Sequence, residues 1–314
     1  MRRAFLVPLL MLSLPASAWA QAPTTPSPGQ LALQLSGTFH AGKQRIAFAG
    51  GTIGIRGVVT PAVAGEQVEV TIKRGRKTIR DKTVAVQDDG FQLSYRSHRG
   101  GTLTITAHHA ASPNQVAMDA GPLKLSLVRP SVHRGGRGIV VRFMQQQLNA
   151  LHYLVPTNGR YDGATGRAVL AYRKVNRMAR TMSADRSILL RLAAGRGAFR
   201  PRYPDAGKHV EADLSRQVLA LINPGGKVFK TVHMSSGKPS TPTVVGIFHF
   251  YMKEPGTNAK GMLDSNYFIR GYAIHGYPEV PKYAASHGCL RIPNANAPFV
   301  FRWVQIGDRI DVYR

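Results

Sequence analysis

Ala273-Ile274-His275-Gly276-Tyr277-Pro278, resumed at Ala285-Ser286-His287-Gly288-Cys289-Leu290-Arg291, gathers the only cysteine of the chain, two histidines, and glycines where backbone can approach a ligand closely. A nucleophilic thiol needs a neighbouring base or an electropositive pocket, because only the thiolate attacks. His275 lies too far upstream of Cys289 for one helical turn but can reach it across a folded loop. His287 is two residues from Cys289, so in an extended strand the two side chains share a face. The backbone N–H groups of His287, Gly288 and Cys289 are candidate donors to a developing oxyanion. Two other readings compete. A lone cysteine is often a buried structural thiol. His275, His287 and Cys289 also count as three zinc ligands, although H-x-C is an unusual ligand spacing and no H-E-x-x-H occurs.

H-G-Y-P followed by S-H-G-C-L-R resembles the signature of the L,D-transpeptidase family (YkuD-type catalytic domain), cysteine enzymes that remodel bacterial peptidoglycan. The resemblance extends upstream through Asp213-Leu214-Ser215-Arg216-Gln217-Val218, Ser236-Gly237-Lys238-Pro239-Ser240-Thr241-Pro242 and Gly246-Ile247-Phe248, and downstream to Gly307-Asp308-Arg309-Ile310. Several separated motifs in the right order make a specific signal, and together they cover about the last third of the chain.

The whole composition agrees with an envelope protein. At 314 residues two or three domains are expected, and a 43% apolar fraction suffices for real cores. The formal net charge of +26 predicts a polyanionic partner. Arg2-Arg3 before the apolar run Ala4–Leu14, then Ala18-Trp19-Ala20, read as a cleaved secretory signal over residues 1–20; the run is too short to span a bilayer in the mature protein. With no cysteine at the cleavage position, a lipid anchor is not expected. Export to the periplasm or cell wall makes nucleic acid an improbable partner and an anionic wall polymer the natural one. One cysteine allows no internal disulfide and marks the thiol as reactive or intermolecular.

Residues 21–30, rich in Pro and Thr, read as a linker. Over 31–128 the hydrophobic period is two, most cleanly at Gln67–Lys73, Lys82–Val86 and Gly101–Thr106, with turns such as Asp88-Asp89-Gly90. That pattern predicts an all-β sandwich resembling Ig-like surface modules, read as a spacer. Residues 131–200 predict a small three-helix unit: Gly138–Leu151 with Val141, Met144, Leu148 and Leu151 on one face, Ala164–Val175 with Val169 and Tyr172 inward, and Ala184–Ala194 capped by Ser183. This unit resembles the peptidoglycan-binding modules of wall enzymes. Twelve arginines and Lys174 stand there against Asp162 and Asp185 alone; Arg173, Lys174, Arg177 and Arg180 are expected at its surface, free to meet a polyanion. Arg200–Pro204 reads as the last linker. The catalytic domain, 205–314, is expected to be mostly β: a strand from His209 to Ala220, a hairpin turn at Asn223–Gly226, strands at Lys227–Met234, Gly246–Tyr251 and Ile306–Tyr313, a helix at Pro298–Val304 capped by Asn294, and a long loop over 252–266.

The resemblance implies roles. Cys289 is the nucleophile and His275 the general base; His287 orients substrate, stabilises charge or shapes the loop. Gly276 offers a backbone carbonyl to hold the imidazole, Ser286 braces the loop, and Arg291 can take a stem-peptide carboxylate. Tyr272, Tyr267 and His249 are candidates to line the donor cleft, and the 252–266 region to cover it. The implied activity is acyl transfer through a thioester to the third residue of a donor tetrapeptide stem, with release of D-alanine and capture by an amine of a neighbouring stem. No cofactor or metal is called for. The same intermediate also serves water, a free D-amino acid or a protein lysine as acceptor. The rival from another class is a non-catalytic wall-binding protein.

Overall fold

The structure is a computed structural model and describes residues 28–314. The expected signal segment and most of the 21–30 linker lie outside the described residues. Nine strands come first: β1 (Gln30–Ser36), β2 (Phe39–Ala41), β3 (Gln44–Phe48), β4 (Thr52–Thr60), β5 (Gln67–Arg74), β6 (Lys77–Ala85), β7 (Gly90–Arg96), β8 (Gly101–His109) and β9 (Met118–Val128). They form a three-stranded sheet, β1-β4-β7, and a six-stranded sheet, β2-β3-β9-β8-β5-β6. Alternation decides which side chains meet: Ile53 and Ile55 of one sheet share a core with Val68, Val70, Ile72, Leu103 and Ile105 of the other. The period-two segments are therefore the inner faces of two packed sheets.

Three helices follow: α1 (Ile139–Ala150), α2 (Gly163–Val175) and α3 (Arg186–Ala193). Val141, Met144, Leu148, Val169 and Tyr172 are buried, as their spacing predicts. The cap of α3 is Asp185 and not Ser183: its carboxylate accepts the Ile188 N–H, satisfying a donor that the first turn leaves open. The helical core is not self-contained. Ala41, Ile46 and Phe48 of the β2–β3 hairpin belong to it, and Phe48 meets Phe143 of α1 edge to face at 5.3 Å.

The last unit contains β10 (His209–Asp213), β11 (Val218–Asn223), β12 (Lys227–His233), β13 (Gly246–His249), β14 (Met252–Thr257), β15 (Leu263–Ile269), β16 (Tyr272–Tyr277), β17 (Leu290–Pro293), α4 (Ala297–Trp303) and β18 (Arg309–Tyr313). A five-stranded sheet, β12-β11-β10-β18-β13, and a four-stranded sheet, β14-β15-β16-β17, close on one core with α4. Three sequence expectations fail here. His209–Ala220 is not one strand but two, because Gln217 takes a left-handed backbone (φ 60°) and the chain turns through Leu214–Gln217. Residues 252–266 are mostly a β14–β15 hairpin, its turn tied by Asn258, whose side-chain Oδ1 accepts the Lys260 and Met262 N–H groups. Asn294 starts a short 3-10 turn before α4 instead of capping it.

The expected linker at Arg200–Pro204 is pinned. Buried Glu211 accepts the backbone N–H groups of Arg202 and Tyr203, and the Tyr313 hydroxyl donates to it at 2.6 Å. Burial raises the Glu211 pKa, but these donors and His209 outweigh it and hold the carboxyl below its ordinary value. The helical unit also docks on β12, where Leu154 donates to the Thr231 carbonyl and Thr231 to that of His152. Among the described residues no helix is long and apolar enough to cross a membrane.

Candidate active site

β16 and β17 run parallel, with Ile274 beside Leu290 and His275 beside Arg291. Ile274, Leu290 and Ile292 enter the core, so strand alternation turns His275 and Arg291 to the opposite face, with Cys289 just before β17. The Cys289 Sγ lies 3.6 Å from the Gly271 carbonyl oxygen at the start of β16. His275 is buried, and its Nδ1 is 2.9 Å from the Gly276 carbonyl oxygen. A carbonyl only accepts, so Nδ1 carries the proton and Nε2 is left with its lone pair. Gly276 is required for closeness: a Cβ there would meet the Ala297 Cβ at 2.7 Å and Asn294 Oδ1 at 2.8 Å.

Electrostatics link the three side chains. Burial lowers the His275 pKa, and the Arg291 charge lowers it further against the Gly276 hydrogen bond. Burial pushes the Cys289 thiol up, while the Ala273 backbone and the charges of Arg291 and Lys260 pull it down. Both shifts favour the uncharged forms, thiol and imidazole. Arg291 does not point away to solvent: its guanidinium lies 4.0 Å over the Tyr277 ring, which meets His275 edge to face at 5.8 Å. Lys260 sits in the β14–β15 turn, close enough for its charge to act on the thiol.

The nucleophile loop is braced from inside and outside. Ser286 Oγ donates to the Cys289 carbonyl at 2.5 Å and accepts the Gly288 N–H at 3.1 Å. That corrects one expectation: the Gly288 N–H is occupied, whereas those of His287 and Cys289 have no intramolecular acceptor among the described residues. Gly288 has φ +119°, and a Cβ would collide with the Tyr272 ring at 2.5 Å. Only glycine lets Tyr272 lie against this turn. From outside, Ser235–Thr243 clamps the loop. Ala285 and Ser286 donate to the Ser236 carbonyl, Ser235 and Arg291 exchange backbone bonds, and Thr243 Oγ1 donates to the Gly288 carbonyl at 2.7 Å. Gln217 holds Ser236 in turn, at 2.6 Å to its hydroxyl and 2.9 Å from its N–H.

The other candidates fall elsewhere. His287 is exposed, its Nε2 3.5 Å from Lys238 Nζ. Among the described residues no group of three or more His, Cys, Asp or Glu side chains is placed to hold a metal. Tyr267 donates to Glu254 within the hairpin, and His249 is exposed on β13, an edge strand of the other sheet. Sequence reasoning missed Tyr277, Gln217 and Thr243 as parts of the site. Their signal was weak: polar residues inside motifs, whose burial only the fold reveals.

Residues 207–312 match the YkuD family model, described as the L,D-transpeptidase catalytic domain. The crystal structure of the L,D-transpeptidase (residues 123–326) from Xylanimonas cellulosilytica is similar at 32% identity and a TM-score of 0.54, covering 58% of this chain and 97% of that one. That coverage exceeds what 207–312 alone can supply, so the likeness reaches beyond the catalytic segment. L,D-transpeptidase 1 of Mycobacterium tuberculosis is 33% identical over 29% of this chain and 45% of its own length, so the match spans about half of that relative. This chain belongs to the L,D-transpeptidase family, with its YkuD catalytic domain at residues 207–312.

Proposed function

We propose that the chain is an exported peptidoglycan L,D-transpeptidase in which Cys289 is the nucleophile and His275 the general base. The observation that carries this reading is the imidazole held by the Gly276 carbonyl on β16, the strand that pairs with β17 directly after Cys289. Nε2 takes the Sγ–H proton as sulfur attacks the carbonyl of the third residue of a donor tetrapeptide stem. The tetrahedral oxyanion is met by the free N–H groups of His287 and Cys289. Collapse breaks the bond to D-alanine, whose amine leaves with the proton from Nε2, and a thioester remains. An amine of a second stem then attacks the thioester, gives its proton to Nε2, and the thiol is regenerated as that proton returns to sulfur. Tyr272 and the Lys260 turn bound the donor cleft, and Arg291 holds positive charge beside it.

The Ig-like sandwich is a spacer in this reading, and the helical unit, which resembles peptidoglycan-binding modules, contacts anionic wall polymer. A cleft of roughly 510 Å³ between it and the catalytic domain supports that contact. Arg177, Arg180, Arg200, Arg202, Arg216 and Arg314 line it against Asp213. The test is incubation of the mature chain with purified disaccharide-tetrapeptide, followed by mass spectrometry. A Cys289-linked acyl adduct and a cross-link between two third residues are expected. Tripeptide alone would indicate a carboxypeptidase, D-amino-acid exchange or a lysine-linked protein would identify those acceptors, and no adduct at all would leave a wall-binding protein.

A further inference from the structure

The second helix of the basic unit sends one side chain into the catalytic domain. Lys174 is 2% exposed, against the expectation that it is a surface charge. Its Nζ lies 3.0 Å from the Gln217 carbonyl, 3.0 Å from the Met234 carbonyl and 2.7 Å from His233 Nδ1. The far nitrogen of His233, Nε2, is 2.8 Å from the Val280 carbonyl. Val280 O only accepts, so Nε2 carries the His233 proton and Nδ1 must accept. Three acceptors thus surround Nζ, as many as an ammonium has N–H groups. Burial, helped by the nearby Arg180 charge, lowers its pKa to about 6, working against the ammonium that the three acceptors favour.

Each arm ends on the support of the nucleophile loop. Gln217 grips Ser236, which receives Ala285 and Ser286. Met234 precedes Ser235, which exchanges backbone bonds with Arg291. Val280 lies in the 278–289 connection that leads from the base strand to Cys289. Arg180 adds a parallel tie, donating to the carbonyls of Ser215 and Lys282. We infer that Lys174 is a positioning residue for the Cys289 loop, so that the helical unit is a working part of the catalytic site as well as a wall-contacting accessory. This rests on Cys289 being the nucleophile.

The experiment compares full mature chains carrying Lys174→Met, Lys174→Arg and, as a control for docking as such, Lys230→Met. Lys230 bonds Asn149 across the same boundary but leads to no part of the loop. Acylation by disaccharide-tetrapeptide is followed by intact mass spectrometry, and the single thiol is alkylated with iodoacetamide across a pH series. Lys174→Met should slow acylation on the order of tenfold, mainly in kcat, and shift the alkylation profile. Lys174→Arg should recover part of the rate, and Lys230→Met should match the parent in both. If Lys174→Met does not fold, His233→Asn severs the Val280 arm alone and should show the same two changes. Parent-like acylation and alkylation in the readable variant would overturn the inference, as would equal losses in Lys230→Met. An absent Cys289 adduct in the parent would instead overturn the proposed function.

Discussion

At the residue scale, burial raises the Cys289 pKa and lowers that of His275, so each side chain favours its uncharged form. Cys289→Ala should give no adduct, and Cys289→Ser should lose on the order of a thousandfold or more in turnover, since a hydroxyl is a poor nucleophile near neutrality. Both are read by product mass spectrometry. The lowered His275 pKa sets the sign of the pH response. The parent should already be on its plateau near neutrality, with acylation falling only below the ordinary histidine range. His275→Ala should lose that acid limb and gain rate only above the ordinary thiol range, where sulfur ionises unaided. His233 makes a second pH prediction, on stability. Its folded pKa is lowered to about 3, chiefly by burial, so below the unfolded value of 6.5 the unfolded chain takes up the proton first. Stability is then lost as pH falls from about 6.5 toward 3, by up to roughly 1.4 kcal/mol per pH unit. Denaturant melts at several pH values check this, and His233→Asn should flatten the slope.

At the element scale, buried amides hold the loops that hydrophobic periodicity cannot describe. Gln145 of α1 is fully buried; its oxygen accepts the Gly159 N–H at 2.7 Å, and its amide donates to the Arg160 carbonyl and to Thr165 Oγ1. Gln145→Leu keeps the volume but orphans those groups, and should cost about 1–3 kcal/mol in urea unfolding. The helices themselves were legible: Val141, Met144 and Leu148 recur on one turn-to-turn face and are buried together. The strand after His209 was misread because buried apolar residues, Val210 and Ala212 before and Val218 and Leu219 after, flank the short polar turn at 213–217, which was read through as strand. The hairpin at 252–266 was missed for the opposite reason. Its Lys, Glu, Gly and Asn residues resemble a loop, and cross-strand bonds with β15 stabilise it instead of a buried face.

At the scale of the whole molecule, the basic charge is divided between buried anchors and a free surface. Arg173 is not a surface charge either: it is buried, bonds the Ser183 carbonyl and pairs with Asp185 at 2.9 Å. Arg177 and Arg200 are exposed in the cleft, and among the described residues their guanidinium groups have no protein partner. The full chain should therefore bind insoluble wall material at low ionic strength and release it as salt rises. Arg177→Gln with Arg200→Gln should weaken low-salt retention by roughly threefold to tenfold without changing the circular dichroism. Retention equal to the parent at every salt concentration would show that these charges are only solvated. The whole chain is the proper sample, because the helical unit shares its core with Phe48 and buries Lys174 in the catalytic domain.

The sequence by itself determined the family, because side-chain chemistry and motif order are local properties of the chain. It also determined the two-residue period of the N-terminal strands and the apolar faces of the helices, which follow from backbone geometry. Tertiary structure alone decided which polar groups are partners. His287 is exposed in the loop before β17 while His275 is buried on β16, a difference that spacing does not reveal. Ser286 takes the Gly288 N–H away from the oxyanion site, and Lys174 leaves the surface for three acceptors distant in sequence. Burial makes such polar partners obligatory, and burial is set only when the separate units pack.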